Sequence, residues 1–245
     1  MKSMFELLTE LPLFRGVTRE RMAQAVGTTK FHFLKYPAGE TVVSEGDHCS
    51  HVRFIISGKV RLSIRNSDGR FIVSQTLTAP DVISPEFLFG RNTIYPGTAK
   101  ALEDAGILQI AKQDYIKILN SDNIFLFNYL NMLSVIAQKS VSGILSLTGG
   151  SLEERIAFWV IGLTQPGSTE VSISCRHRDL YTLFGVQRSA FIAVLDHMKE
   201  KGLIEYDKNT INVLDRRLVC EMILPRTPMI TDDDEVVVIP EKTSD

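Results

Sequence analysis

The sequence predicts an α+β chain: an antiparallel β-roll first, then a long helix, then a helix-turn-helix closed by a β-hairpin. Three observations predict it. From Lys30 to about Ile110, short runs rich in Val, Ile, Phe and Thr are punctuated by turn residues roughly every ten positions. From Gln113 to Leu147 the apolar residues take up a helical period. From Arg176 to Gly202, two short helical patterns flank Gly185, and a hairpin pattern follows directly.

Composition narrows the class before any motif does. The chain has 245 residues, 44% hydrophobic and 23% charged, enough for one large domain or two modest ones. No run approaches the roughly 20 apolar residues of a membrane span. The opening MKSMFELLTELPLF carries Glu6 and Glu10 and lacks the apolar core of a secretory signal. Cys49, Cys175 and Cys220 lie far apart, which fits a reducing cytoplasm and supplies no clustered thiolates for an iron–sulfur centre. No haem ligand is evident. The net charge of −2 argues mildly against nucleic acid as a partner. Its distribution reverses the argument, because residues 231–245 carry six acids against Lys242 alone, so the remainder is net positive.

Taken in order, residues 4–26 form two short helices broken at Pro12 and Gly16, with Thr18 as N-cap and Met22, Ala23 and Val26 on one face. The roll follows, with turns at Pro37–Gly39, Glu45–Asp47, Ser57–Gly58, Asp68–Gly69, Pro80–Asp81 and Pro96–Gly97. In the long helix, Leu126, Leu130, Leu133, Ala137, Ser140, Ile144 and Leu147 fall at a/d heptad spacing, the seam of a helix that pairs with a second copy of itself. Phe125, Phe127, Tyr129 and Ile136 lie off the seam and lean on the roll. Thr148–Gly150 breaks the helix, and Ser151 with Glu154 opens the next one as a capping box. That helix buries Ile156, Ala157, Val160 and Leu163, with Trp159 in its core. Gln165–Thr169 is a loop and Val171–Ile173 a short strand. Leu180, Leu183 and Phe184 face inward from the first helix of the pair, and Phe191, Val194, Leu195 and Met198 from the second. Leu203–Ile204 and Ile211–Val213 flank a turn at Asp207–Thr210, a wing. An ordinary αα-hairpin shares the helix pattern, but the wing directly after it favours a module that lays its second helix in the DNA major groove. Val236–Ile239 has the pattern of an edge strand. The chain thus divides into a roll with N-terminal helices (1–111), a pairing helix (112–148), a winged helix-turn-helix (149–224) and an acidic tail (225–245).

The order of these parts resembles the Crp–Fnr superfamily of bacterial transcription regulators over nearly the whole chain. The residues that carry the resemblance are Pro37–Glu40, Glu45–Asp47, Phe54–Val60, Asp68–Arg70, Leu88–Gly90, Ser151–Ala157 and Phe184–Arg188. It implies a cyclic-nucleotide-binding-like roll (a double-stranded β-helix) acting as sensor and a homodimer through residues 122–147. It also implies a palindromic operator of double-stranded DNA, contact with RNA polymerase and a cytoplasmic location without enzyme activity. An effector pocket is implied at Glu86, Phe89, Thr93, Tyr95, Thr98, Ala99 and Ser140. On DNA, Arg188 matches the family's guanine-reading arginine, while Ser189 and Ala193 replace its other base-reading residues. Gln187 and Ile192 share that face, Ile192 and Ala193 suiting thymine methyls. Arg176, His177, Arg178 and Lys208 are phosphate contacts that position without specifying.

Two departures redirect the reading. The family's Gly-Glu pair becomes Ser84-Pro85, with Glu86 one place late, and its phosphate-holding Arg becomes Tyr95-Pro96. No cyclic AMP is therefore expected, and a different small molecule or none takes its place. His48-Cys49-Ser50-His51 has two imidazoles and a thiol within four residues, but a solvated turn explains it. A cupin-like metal-dependent roll, the rival class, would need a tighter His pair, a following acid within Val52–Gly58 and a further His on a later strand of the roll. The chain supplies none of these.

Overall fold

The structure, a computed structural model, describes residues 4–145 and 149–221. Leu147, the acidic tail and the Val236–Ile239 strand pattern lie outside the described residues.

Helix α1 (Met4–Glu10), a 3-10 turn (Pro12–Phe14) and helix α2 (Arg19–Thr28) form an N-terminal clasp. Thr18 caps α2, its Oγ1 accepting a bond from the Arg21 N–H at 3.4 Å. Met22 is buried as predicted, but its partner is Ala25, because i+3 continues a helical stripe and the adjacent Ala23 is turned to solvent. Leu8, Leu11, Leu13 and Phe14 are buried with it in the core of the roll.

The roll comprises β1 (Phe31–Tyr36), β2 (Thr41–Val43), β3 (His51–Ser57), β4 (Lys59–Arg65), β5 (Ile72–Thr78) and β6 (Asp81–Val82). A 3-10 turn (Pro85–Phe87), β7 (Gly97–Ala101) and β8 (Ala105–Ala111) complete it. One sheet has the order β1-β8-β3-β6, and β2, β7, β4 and β5 form the roll's part of the other, all pairs antiparallel. Val60 and Leu62 from one sheet and Val52, Phe54, Ile107 and Ile110 from the other are buried in one core. The predicted turn at Pro96–Gly97 is instead the start of β7. A Cβ at Gly97 would lie 2.2 Å from the Ser63 carbonyl, so the glycine permits close strand approach rather than reversal.

The single long helix of the sequence reading is two: α3 (Lys112–Ser121), packed on β8 and β3, and α4 (Asn123–Leu145). Asp122 divides them, extended at φ −159° and ψ 140°, with its Oδ1 accepting from the Ile124 N–H at 2.9 Å. The carboxylate competes for the helix N–H groups and so starts a new helix. Phe125 and Tyr129 are buried against the roll, with Met132 and Leu133 beside them. The outward stripe runs through Phe127, Leu130, Ser134, Ala137, Val141 and Ile144, all exposed. Leu126 and Ser140 of the predicted seam are exposed as well, so among the described residues only Leu133 departs from it. Leu133 faces the roll, and Phe127, placed off the seam, is 60% exposed on the outward stripe.

Beyond residue 149 lie α5 (Leu152–Leu163), β9 (Ser168–Ser174), α6 (His177–Leu183), α7 (Arg188–Glu200), β10 (Ile204–Tyr206), β11 (Thr210–Val213) and α8 (Arg216–Glu221), the last not foreseen. Ser151 and Glu154 form the reciprocal capping box. Ile156, Trp159, Leu180, Phe184, Phe191, Leu195 and Met198 share one core. Leu183, assigned inward, is half exposed, since α6 has only two turns and its C-terminal end overhangs the core.

A helix crossing and a shared sheet join this unit to α4 and the roll. α5 crosses α4 where Gly143 and Gly162 touch, a Cβ on Gly143 falling 2.8 Å from the Gly162 Cα. β9 pairs with β11 on one side and β5 on the other, making one sheet, β10-β11-β9-β5-β4-β7-β2. The β5 edge also explains why β9 begins at Ser168, inside the predicted loop: Leu77 offers it a ladder partner. Phe71 beside β5 meets Trp159 at 5.7 Å.

Asp81 is buried at this junction. Its Oδ1 accepts from the Val82 N–H at 2.7 Å, while Oδ2 has no hydrogen-bond partner among the described residues. Burial pushes its carboxyl up to about 6, against the opposing Val82 bond and the Lys139 charge. A raised carboxyl favours the folded state at low pH and loses that contribution as pH rises through the folded value. From about pH 4 to pH 7, Asp81 therefore removes up to about 3 kcal/mol of stability. Asp81→Asn is expected to flatten that part of the profile, measured by urea unfolding across this range. Gly162→Leu is expected to lower Tm by several degrees through the α4–α5 clash.

Candidate nucleic-acid interface and the roll interior

Helix α7 owes its position to one apolar edge. Phe191, Leu195 and Met198 hold it in the core, which leaves Ser189, Ala193 and Asp196 exposed on the opposite side and Arg188 exposed at its N-terminal end. Gly185, at φ +66°, lets α6 stop and the chain turn before Gln187, the residue preceding α7. Gln187, Arg188, Ser189, Ile192, Ala193 and Asp196 line a shallow outer surface together. A second hollow of about 550 Å³ lies between the helix pair and the wing, lined by Arg176, His177, Arg178, Tyr181, Arg188, Ile192, Tyr206, Asp207 and Lys208. Every residue predicted to meet DNA lines one or both. Four cations against Asp207 make the hollow a natural seat for an anionic backbone.

Within it the predicted roles separate. Arg178, Arg188 and Lys208 are exposed. Arg176 forks onto Asp179, its Nε and Nη2 donating at 3.0 and 3.1 Å, which orients the guanidinium at the start of α6. His177 differs from the phosphate contact foreseen. Its ring lies 6.0 Å from Phe191 and 5.8 Å from Tyr206, and its buried Nε2 has no hydrogen-bond partner among the described residues. Burial lowers its pKa, the Arg188 charge adding to the effect and Asp207 opposing it, so the ring packs as a neutral spacer between helix pair and wing. Tyr181, Tyr206 and Asp196 were not foreseen. The Tyr206 hydroxyl donates to Asp196 and so ties the wing to α7. Nothing in the spacing alone pairs those two, since their meeting depends on how the wing folds back.

The effector candidates do not form one group. Tyr95 is fully buried, its hydroxyl accepting from Arg53 Nη1 at 2.6 Å and donating to the His51 carbonyl at 3.3 Å. The Arg53 guanidinium also lies over the Tyr95 ring at 5.5 Å, its Nε buried and unpartnered among the described residues. Sequence reasoning missed Arg53, the interior cation, because it sits among the apolar residues of β3. Glu86 faces the same region. Burial raises its carboxyl, and its Oε2 is likewise unpartnered among the described residues. Phe89 packs on Tyr129 at 5.7 Å, beneath Lys112. Ala99 is core. Thr98 Oγ1 accepts from the Glu45 N–H in an exposed turn, and Thr93 offers its carbonyl to Cys49. Ser140 is exposed and donates to its own helix at Ile136. In the His48–His51 segment the Cys49 side chain is buried, and among the described residues no three His, Cys, Asp or Glu side chains are grouped to hold a metal.

Residues 33–122 match the cyclic nucleotide-binding domain family. The chain is 26% identical to the cyclic AMP receptor protein of Thermus thermophilus, the match covering 86% of this chain and 96% of that one. It is 24% identical to the anaerobic regulatory protein of Bacillus subtilis, covering 76% and 81%. The crystal structure of the Thermus thermophilus catabolite activator protein aligns over 86% of this chain and 98% of its own, with 20% identity and a TM-score of 0.44. A cyclic-nucleotide-binding-type roll is joined here to a winged helix-turn-helix, the arrangement over which these similarities run. The cyclic nucleotide-binding domain match covers residues 33–122, and the similarity to these bacterial regulators extends over most of the chain.

Arg188→Ala is expected to reduce discrimination at one base position in each half-site by about 1–3 kcal/mol, read from competition binding with point-substituted duplexes. His177→Phe, which keeps the ring, is expected to leave DNA affinity within about twofold, whereas His177→Ala loosens the wing.

Proposed function

We propose that the protein regulates transcription as a homodimer, each α7 entering the major groove of one half of a palindromic operator. The observation that carries this reading is the hollow where Arg176, Arg178, Arg188 and Lys208 flank the outward face of α7. A basic rim positions the phosphates while Arg188, Ser189, Ile192 and Ala193 reach base edges. Dimerisation is supported by α4, whose stripe from Phe127 to Ile144 carries four large apolar side chains in solvent at heptad spacing. Two such helices packed together cover that stripe and set two recognition helices about one DNA turn apart.

The roll acts as a sensor for a ligand other than cyclic AMP. Tyr95 and Arg53 are bonded to one another where an anionic ligand would need a free cation, so a phosphate must first part them. RNA polymerase and a cytoplasmic setting follow from the same reading. Among the described residues no helix is long and apolar enough to cross a membrane.

Selection of bound duplexes from a random library is expected to return a two-fold-symmetric site. Sedimentation of the free protein is expected to give a dimer that Leu130→Glu converts to monomer with a far weaker hold on DNA. Asymmetric selected sites, or a dimer unaffected by Leu130→Glu, contradict the proposal. Cyclic AMP at millimolar concentration is expected to leave Tm unchanged.

A further inference from the structure

We propose that Gln165 is a positioning residue that ties the orientation of the winged unit to segment 82–86 of the roll, so that displacing either moves the other. This rests on the DNA-binding reading above and adds a route by which the roll acts on α7.

Gln165 lies in the short connection between α5 and β9 and is 7% exposed. All three of its hydrogen-bonding groups that face the roll are used. Its backbone N–H donates to Gln75 Oε1 on β5 at 2.6 Å. Its Nε2 donates to the Val82 carbonyl on β6 at 2.9 Å, and its Oε1 accepts from the Ser84 N–H at 3.4 Å. Gln75 and Ser84 are buried too, so water does not replace these bonds without opening the junction. A buried polar group left without a partner bears its full desolvation cost. The connection therefore stays seated while segment 82–84 keeps its place, and lifts when that segment moves.

The two ends differ in rigidity. On the winged side the connection is fixed several times over. Arg216 Nε donates to Thr164 Oγ1 at 2.8 Å and Nη1 to the Pro166 carbonyl at 3.0 Å. Ser168 Oγ donates to the Gln165 carbonyl at 2.8 Å, and from outside the unit Lys139 Nζ on α4 donates to the Thr164 carbonyl. From there β9 leads to the start of α6. On the roll side, Ser84 stands at φ 45° and ψ 55°, a left-handed conformation that its side chain disfavours. Relaxing Ser84 would turn its N–H away from Gln165. Ser84 precedes the 3-10 turn that carries Glu86, whose buried Oε2 has no hydrogen-bond partner among the described residues. A strained residue beside an unsatisfied carboxylate is a segment with a second arrangement within reach. Gln165 is the side chain that reads which arrangement it has taken.

Coupling of this kind is reciprocal, so DNA bound at α7 must be felt at segment 82–86. The test is amide hydrogen exchange on the full chain, with and without a duplex selected from a random library. In the wild type, DNA is expected to change exchange at residues 82–88 by about threefold or more. Gln165→Ala is expected to bind the duplex and lose that response, as is Gln75→Met, which removes the acceptor of the Gln165 N–H. Gln165→Glu keeps an acceptor for Ser84 and is expected to restore part of it. A purely structural role would lower Tm in these variants without uncoupling the two regions. A wild-type chain that binds DNA with no change at 82–88, or a response undiminished in both Gln165→Ala and Gln75→Met, overturns the inference. A wild-type chain that binds no duplex overturns the DNA-binding reading instead.

Discussion

The arrangement of the molecule depends on β9 being shared. Its N–H and C=O groups on one edge pair with the wing strand β11 and on the other with β5 of the roll. Over Val171–Ser174 the strand is used on both edges, which leaves no open ladder there between the two units. The helices obey the same geometry. Gly143 and Gly162 allow α4 and α5 to approach at backbone distance, which brings the β9 edge within reach of β5. Larger side chains at that crossing would push the strands out of register.

The polar groups at this seam explain why it is not simply adhesive. Hydrophobic contact supplies part of the attraction, with Phe71 and Val73 packed into the core of the winged unit. Beneath it lie Gln75, Asp81 and Gln165, all buried. Gln165 is satisfied, and among the described residues Asp81 Oδ2 is not. A seam of satisfied amides beside an unsatisfied carboxylate specifies one docking geometry while holding its strength down. The roll interior has the same character: Tyr95 occupies it, yet Arg53 Nε and Glu86 Oε2 find no partners among the described residues.

Much of this was legible in the sequence because the governing signals are local. Turn residues delimit the strands, the Ser151–Glu154 spacing fixes a capping box, and Phe191, Leu195 and Met198 fix the buried edge of α7. Arg176, Arg178, Arg188 and Lys208 converge because helix pair and wing have stereotyped geometry. The errors arise where distant parts meet. Leu133 leaves the predicted seam of α4 because it has a partner in the roll that no heptad pattern records. Asp122 reads as an ordinary polar residue in a helix until its carboxylate is seen capping Ile124. The loop at Gln165 became a junction because β5 offered an edge 90 residues away in the chain. His177 looked like a phosphate contact until Phe191 and Tyr206 closed around its ring. Arg53 was passed over because a strand pattern does not say which side chains share an interior.

The salt dependence of duplex binding tests the central claim most directly. Four cations in each protomer's hollow, doubled in the proposed dimer, predict a slope of log K against log salt of about −7 on a selected duplex. Lys208→Ala, one lost contact per protomer, should make that slope shallower by about 2 without changing which bases are preferred. Binding that is insensitive to salt, or that Lys208→Ala leaves unaltered in slope, would contradict the account.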